Sequence, residues 1–262
     1  MTDRSGREIV VLGVSGSPRA GGATSRLVRS ALLGAEDVPG VRTKFVSLAP
    51  MRIAGCDRCA ACLDAGHCLI DDDMRGLYDL LAEADALILG SPVYYGSPSA
   101  LCKAFMERVA GFGLREKKLR MKVGGAIAAG GSRNGGQETT QIAIHTWFHS
   151  NDMLAVAITA PVTQWGPTSS GGLALDDVER DVFELKMSGR TILAKEIAWM
   201  FGRKIATVTR IVRAGLETTG LDLPDGPYGY DLPDAYPAAL AAIGAEEPAA
   251  GPRFLDGASD QA

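Results

Sequence analysis

The sequence predicts an α/β protein in which helices cover both faces of a five-stranded parallel sheet of order 2-1-3-4-5, a three-layer sandwich. Short apolar runs, typical of strands buried on both faces, alternate along the chain with helical patterns. Loops rich in glycine and hydroxyl residues follow these runs, at the strand ends where open parallel sheets bind ligands. We therefore expect one such domain over 1–218 and a Pro/Ala-rich C-terminal tail over 219–262.

The first predicted strand, 8–14, leads into a loop of small and hydroxyl residues and then a helix. This loop, 15–25, reads Ser-Gly-Ser-Pro-Arg-Ala-Gly-Gly-Ala-Thr-Ser. Backbone N–H groups at a helix N-terminus bind phosphate, and hydroxyl and guanidinium groups add donors. The loop contains no Gly-x4-Gly-Lys and no Gly-x-Gly-x-x-Gly, which favours a mononucleotide such as FMN over ATP or a dinucleotide. The alternative is a polar turn whose serines cap the helix.

A cysteine-rich segment follows the second predicted strand, 41–49. Four of the five cysteines, Cys56, Cys59, Cys62 and Cys68, are separated by two, two and five residues. Cysteines this close together are the usual ligands of a four-iron cluster, whereas structural zinc sites pair two short knuckles across a longer span. We predict a [4Fe–4S] cluster in an insertion at 56–68. A zinc site and a set of redox-active or structural thiols are the alternatives.

Two further loops follow predicted strands. The third strand, 85–90, leads into 91–98, where Tyr94 and Tyr95 can flank a flat ring and Gly96 allows close approach of the backbone. A fourth strand, 122–129, precedes the glycine-rich loop 130–138, for which a surface loop is the alternative. Between these regions, Asp71-Asp-Asp73 is interpreted as a solvated helix start rather than a metal site.

The remainder of the chain completes the predicted alternation of elements. We expect helices at 74–84, 99–109 and 139–151, a fifth strand at 154–158, and a loop with Trp165 that could cover the site. A helix is predicted over 179–214, with breaks at Gly189 and Gly202. Cys102 is expected to be a core residue, and His145 and His149 to be structural or surface residues.

The composition argues against several classes of partner. The net charge is −4 and no basic patch is visible, so nucleic-acid binding is not expected. No apolar run approaches the ~20 residues that span a membrane. The sequence also shows no export signal, and we expect a cytoplasmic protein whose cysteines stay reduced.

Together these motifs resemble the iron–sulfur flavoproteins, a flavodoxin-like branch of the NADPH-dependent FMN reductase superfamily. The resemblance covers most of 9–214. It rests on Gly16-Ser-Pro-Arg19 with Gly22 and Thr24, the four cysteines, Asp72-Asp-Met74, Gly90-Ser-Pro-Val-Tyr94 with Lys103 and Arg108, and Gly135-Gly-Gln-Glu138. It implies an FMN- and [4Fe–4S]-dependent oxidoreductase that moves electrons between the cluster, the flavin and a small organic substrate or a ferredoxin. A homodimer or homotetramer is implied as well.

The resemblance also assigns site residues. The FMN phosphate would lie at Ser15, Ser17, Arg19, Thr24 and Ser25, and the flavin ring beside Pro92, Val93, Tyr94, Tyr95, Gly96, Gly130, Gly131, Gln137 and Glu138. Many relatives have Asn where this chain has Ala23, which removes one donor and costs about 1 kcal/mol of phosphate binding.

The resemblance leaves the substrate open. One branch dehydrogenates 2-amino-4-deoxychorismate in secondary metabolism, and Arg133 is the candidate cation for such an anionic substrate. The alternatives are an NAD(P)H-dependent FMN or quinone reductase without a cluster, and a zinc-stabilised flavin-binding sensor module.

Overall fold

The structure, a computed structural model, describes residues 8–132, 134–158, 165–169, 185–187 and 190–220. Arg133 and nearly all of the predicted tail lie outside the described residues. The predicted boundary at 218 therefore remains a prediction.

A mostly parallel sheet runs through the described part of the chain. Its strands are β1 (Ile9–Ser15), β2 (Val41–Ser47), β3 (Ala86–Tyr94), β4 (Ser97–Pro98), β5 (Val123–Ala129), β6 (Leu154–Ala155) and β7 (Thr168–Ser169). The main path is β2-β1-β3-β5-β6, and all neighbours along it are parallel. This confirms the predicted order, with β5 in the fourth position and β6 in the fifth. The three central strands are buried along nearly their whole length, whereas β2 is half-buried at the edge.

The fifth position of the sheet differs from the prediction of one strand over 154–158. Strand β5 pairs with β3 on one edge and with two short strands on the other. On this second edge, β6 pairs with the first residues of β5 and β7 pairs with its last residues. Near the middle of this edge, a Cβ on Gly166 would lie 2.2 Å from the carbonyl oxygen of Ala126. A glycine allows this close approach, which brings the chain back alongside β5. With the antiparallel β4 beside β3, the sheet has seven strands within the described residues, instead of the five predicted.

Helices cover both faces of the sheet, which confirms the three-layer architecture. They are α1 (Ala23–Glu36), α2 (Cys62–Ala65), α3 (Leu77–Glu83), α4 (Ala100–Arg108), α5 (Gln137–Ser150) and α6 (Ala194–Thr219), with a 3-10 turn at Asp73–Gly76 and a π-helical turn at Gly111–Arg115. One core contains Val11 and Ile88 of the sheet with Val28 of α1 and Phe201 of α6. The opposite core contains sheet residues such as Leu89 with side chains from α3, α4 and α5.

The helix predicted over 179–214 is wrong at its beginning. Strands β8 (Leu185–Met187) and β9 (Arg190–Ile192) form an antiparallel pair, and α6 starts only at Ala194. The sequence between the two strands is Ser-Gly, a pair common in turns. The carboxylate of Glu196 accepts the N–H of Leu193, which fixes the start of the helix there.

Gly202 does not break α6 as expected; it allows α6 to pack closely on α1. A Cβ on Gly202 would lie 1.7 Å from the carbonyl oxygen of Ala31, and one on Gly34 would lie 1.9 Å from that of Trp199. Each helix therefore presents a glycine to the backbone of the other. The Ser30 hydroxyl donates to the carbonyl of Lys195 and ties the two helices together further along.

Candidate functional site

The loops after β1 and β3 are joined by direct hydrogen bonds at the carboxyl edge of the sheet. The N–H of Gly16 donates to the carbonyl of Gly90 at 2.7 Å. The hydroxyl of Ser99, at the start of α4, donates to the carbonyl of Gly16 at 2.6 Å. The backbone N–H of Ser99 donates to Ser91 Oγ. These bonds fix the two loops beside each other at the edge where parallel sheets bind ligands.

The first loop presents an uncapped helix N-terminus. The N-cap of α1 is Gly22, no side chain caps the helix, and its first turn has no acidic residue. The alternative of helix-capping serines is therefore wrong. The hydroxyls of Ser15 and Ser25 instead bond each other at 2.9 Å, and Ser17 Oγ accepts the N–H of Arg19.

The side chains around this N-terminus differ in exposure. Ser15, Ser17, Thr24 and Ser25 are buried and Arg19 is exposed. Uncapped N–H groups beside hydroxyls and a guanidinium are the groups that bind phosphate in proteins.

The second loop is a tight hairpin. Val93 pairs with Pro98 and Tyr94 with Ser97, so that Tyr95 and Gly96 form a two-residue turn. Both turn residues have positive φ, 50° and 75°, as in a type I′ turn. Tyr95 is thus held in a conformation that is uncommon for a large side chain. Its ring is fully exposed and that of Tyr94 is about half exposed, so both are available to a ligand or a partner.

The third loop lies directly against this hairpin. A Cβ on Gly136, whose φ is 104°, would lie 2.5 Å from the Cα of Gly96. The hydroxyl of Thr139 donates to the carbonyl of Gly96 at 2.6 Å. The structure thus brings the hairpin turn at Gly96 against Gly136 and the first turn of α5. Pro92 and Gln137 are buried, Val93 and Gly130 half-buried, and Gly131 and Glu138 exposed.

Three polar residues on one face of α5 hold the segment 165–169, and sequence reasoning assigned this role to none of them. The side chains of Gln137, Gln141 and His145 donate to the carbonyls of Ser169, Pro167 and Trp165, at 3.3, 3.0 and 2.7 Å. Their spacing of four residues on a helix was the available signal. Burial lowers the pKa of His145, so the neutral ring donates through Nε2–H. His145 is structural and His149 exposed, as predicted.

The cysteine segment is fixed most firmly at its C-terminal end. Cys62 begins α2, and Gly66 ends this helix in the left-handed conformation, which turns the chain. Cys68 is buried, Cys62 is partly buried, and Cys56 and Cys59 are exposed. All five cysteines are free thiols, and Cys102 lies in the core, as predicted.

The surroundings of Cys62 shift the pKa of its thiol upward. Burial raises the pKa of Cys62, and the neighbouring Cys68, Cys56 and Cys59 raise it further, while the N–H of Gly111 opposes the shift. Two other sulfurs also receive N–H donors: Cys56 from Arg58 at 3.4 Å and Cys68 from Arg108 Nε at 3.0 Å. Among the described residues, no three Cys, His, Asp or Glu side chains are yet placed to hold a metal ion.

Asp72 caps the start of the helical turn Asp73–Gly76, as expected, but contrary to expectation its side chain is largely buried and not solvated. Its carboxylate accepts the N–H groups of Ala54 and Met74 and forms a two-pronged ion pair with Arg108, at 2.6 and 3.0 Å. Burial raises the pKa of Asp72, but the bonds from Arg108 and the two N–H groups outweigh it, so the pKa lies below its usual value. The aspartate links the backbone before the cysteines to α4.

The comparisons with known proteins identify the family. A family model described as NADPH-dependent FMN reductase matches residues 9–167. An iron–sulfur flavoprotein of Methanocaldococcus jannaschii is 40% identical over 207 residues, 78% of this chain and 98% of that protein. The chain belongs to the iron–sulfur flavoprotein family. Another family member, from Methanosarcina thermophila, is 35% identical over 188 residues, 69% of this chain and 98% of its own length.

Solved structures place this iron–sulfur flavoprotein family member in the flavodoxin-like fold. RosB, solved with 8-demethyl-8-formylriboflavin-5′-phosphate, has a TM-score of 0.55 at 15% identity and covers 97% of this chain and 96% of its own. A WrbA-like flavodoxin from Agrobacterium tumefaciens has a TM-score of 0.50 at 19% identity, over 78% of this chain and 99% of its own. Family membership makes the protein an FMN-dependent oxidoreductase. No helix within the described residues is long and apolar enough to cross a membrane.

Proposed function

We propose that the protein binds FMN at the three joined loops and a [4Fe–4S] cluster at Cys56, Cys59, Cys62 and Cys68, and moves electrons between the cluster, the flavin and a small organic substrate or a ferredoxin. The observation that carries the proposal is the set of four free thiols within thirteen residues of the sequence, with N–H donors on three of the sulfurs. The names of the two family members described above support iron–sulfur chemistry over zinc.

The uncapped N-terminus of α1 is the proposed FMN phosphate site. Within the described part of the chain no side chain caps this N-terminus, and the first turn carries no acidic residue, which would repel a phosphate. Ser17 and Ser25 supply hydroxyls, and the exposed Arg19 supplies a guanidinium. The residues present therefore fit a phosphate monoester. The absence of a donor at Ala23 is the one departure.

The hairpin and the glycine-rich loop are the proposed borders of the flavin ring. Tyr94 and Tyr95 present exposed rings, and the glycines allow the backbone to approach a flat ligand. The hydroxyl of Ser169, beside Gly130, is buried and has no hydrogen-bond partner among the described residues. Such an unpaired hydroxyl is available to a polar atom of the cofactor.

The cysteine segment fits a cluster by the chemistry of its donors. Cys thiolates are the ligands of four-iron clusters, and N–H groups directed at sulfur tune their potentials. In proteins, binding of a metal and ordering of its ligands are coupled. When bound, the cluster supplies one-electron exchange and the flavin supplies exchange of one or two electrons. The chain's part is to hold the sulfurs, exclude water from Cys68 and donate N–H groups.

A pair of cysteine variants tests the cluster assignment. Cys59→Ser removes one proposed ligand, whereas Cys102→Ala removes a buried core thiol that is not a proposed ligand. After purification without air, we expect Cys59→Ser to lose most of its iron and sulfide and Cys102→Ala to keep both. FMN should remain in Cys59→Ser, because the proposed flavin site lies on other loops. Equal iron content in the two variants would reject the assignment.

The finer parts of the proposal depend on the substrate. Dehydrogenation of an anion of 2-amino-4-deoxychorismate type needs a cation near the ring, and its candidate, Arg133, lies outside the described residues. We propose this reaction as one to assay beside ferredoxin reduction. A homodimer or homotetramer and a cytoplasmic location also remain proposals. Rapid NADPH oxidation by iron-free protein would favour the alternative of a flavin or quinone reductase.

A further inference from the structure

We propose that Arg108 is a positioning residue for the cluster: its buried guanidinium holds the Cys68 sulfur through an N–H···S bond and, together with Asp72, sets the reduction potential of the cluster. This inference rests on the proposed function, because it takes Cys68 to be a cluster ligand. It assigns a role to a side chain outside the cysteine set.

The orientation of the guanidinium is completely determined by its partners. Arg108 is only 2% exposed. Nε donates to Cys68 Sγ at 3.0 Å, one terminal nitrogen donates to Asp72 and the carbonyl of Ala54, and the other donates to Asp72 and the carbonyl of Ile70. These acceptors occupy all five N–H groups of an arginine. The group therefore cannot rotate away from the sulfur without breaking several bonds.

A second connection joins the backbones of the same two residues. The hydroxyl of Tyr78 accepts the N–H of Cys68 at 3.1 Å and donates to the carbonyl of Arg108 at 2.6 Å. Cys68 is thus linked to Arg108 through its sulfur and through its amide. Among the residues that the structure describes, no charged side chain donates a hydrogen bond to the sulfur of Cys56, Cys59 or Cys62. Cys68 is the ligand whose position this network fixes.

The charges of the network predict opposite effects for its two members. Reduction adds one negative charge to the cluster, and a cation in contact with a ligand sulfur stabilises that charge. Arg108 therefore raises the reduction potential. Asp72 lies on the far side of the guanidinium and partly offsets its charge, so Asp72 lowers the potential. A role in folding alone would not give opposite signs.

The variants Arg108→Lys and Asp72→Asn test this inference. Lysine keeps the charge but has three donors on one nitrogen, and it cannot serve the sulfur, the carboxylate and two carbonyls together. Asparagine keeps the size and an acceptor but removes the negative charge. Arg42→Gln is the control, because among the described residues Arg42 pairs with Glu8 and Glu83 and with none of the cysteines. These ion pairs are partly exposed. Each protein is purified without air, and the cluster and FMN potentials are titrated with mediator dyes and followed by EPR and absorbance.

We expect Arg108→Lys to shift the one-electron equilibrium of the cluster about tenfold toward the oxidised form, which is about 59 mV. Asp72→Asn should shift it in the opposite direction. The FMN potential should keep its wild-type value in both variants. In Arg42→Gln, the cluster potential should also equal that of the wild type. Unchanged cluster potentials, or shifts of the same sign in both variants, would overturn the proposal. If Arg108→Lys loses its iron, the sign of the Asp72→Asn shift decides.

The same preparations separate failure of this inference from failure of the proposed function. Wild-type protein that contains FMN but no iron would overturn both, because no cluster is then bound at Cys68. Wild-type protein that contains the cluster, with potentials insensitive to Arg108 and Asp72, would overturn only this inference.

Discussion

The hydroxyl of Thr139 donates a hydrogen bond of 2.6 Å to the carbonyl oxygen of Gly96 and so joins the first turn of α5 to the Tyr95–Gly96 hairpin. This contact bridges the two loops that we propose as borders of the flavin ring. It lies between residues 43 positions apart in the sequence, and it keeps the strained turn at Tyr95 in place.

Removing this hydroxyl should weaken FMN binding. Thr139→Val keeps the shape of the side chain but loses a bond worth about 1 kcal/mol, which corresponds to a roughly fivefold weaker affinity. Thr139→Ser keeps the hydroxyl and should bind FMN as the wild type does. The FMN affinity of each variant is measured by titrating the cofactor-free protein with FMN and following flavin fluorescence. Equal affinities of the Val and Ser variants would show that the contact does not support the site.

Arg19 should act on the phosphate of FMN and not on its ring. A charge-assisted hydrogen bond contributes about 1.5–3 kcal/mol, so Arg19→Gln should weaken FMN binding by at least about tenfold. Riboflavin, which has no phosphate, should bind the variant and the wild type equally. Arg29→Gln is the matched control, because Arg29 lies on α1, beyond the loop that contains Arg19, and its guanidinium lies over the ring of Phe45. If Arg19→Gln lost as much affinity for riboflavin as for FMN, Arg19 would not act on the phosphate.

Substitution by alanine at two glycines of α6 should change the free energy of unfolding in opposite directions. Gly202→Ala places a Cβ against the backbone of Ala31, and such overpacking costs about 1–3 kcal/mol. No atom of the described residues lies within 4 Å of a Cβ placed on Gly215, and alanine at this position should raise the free energy of unfolding by up to about 1 kcal/mol through helix propensity. Urea denaturation of the two variants measures the difference. A neutral Gly202→Ala would contradict the packing of α6 on α1.

The five thiols should differ in reactivity in the native metal-free protein. Cys56 and Cys59 are exposed and should react with iodoacetamide at pH 8, whereas Cys102 should not. Burial raises the pKa of Cys102 to about 12, so almost no thiolate forms at pH 8. Peptide mapping by mass spectrometry locates the modified residues, and all five should react after unfolding in urea. Early modification of Cys102 would contradict its place in the core.

The sheet was predictable because its central strands are buried on both faces. The apolar runs that begin at Ile9, Ala86 and Val123 have no polar face, and their alternation with helices leaves few possible arrangements. The β8–β9 pair was missed because each strand has three residues. Periodicity over such a length does not separate a strand from the start of a helix.

The candidate site was predictable where local sequence determines it. The spacing of the cysteines and the hydroxyl-rich loop are visible within a few residues of chain. The role of Asp72 was not, because its partner Arg108 lies 36 positions away and only the fold brings the two together. The run of three aspartates indicated a solvated helix start, which is the common case. In the same way, the carbonyl acceptors of Gln141 and His145 lie on a segment that only tertiary packing places beside α5.

The content of iron, acid-labile sulfide, zinc and FMN in protein purified without air tests the central claim most directly. The proposed function predicts about four irons, four sulfides and one FMN per chain, with no zinc. FMN without iron would contradict the cluster and leave a thiol-bearing flavin reductase. Zinc without iron or sulfide would contradict it as well and favour a zinc-stabilised flavin-binding module.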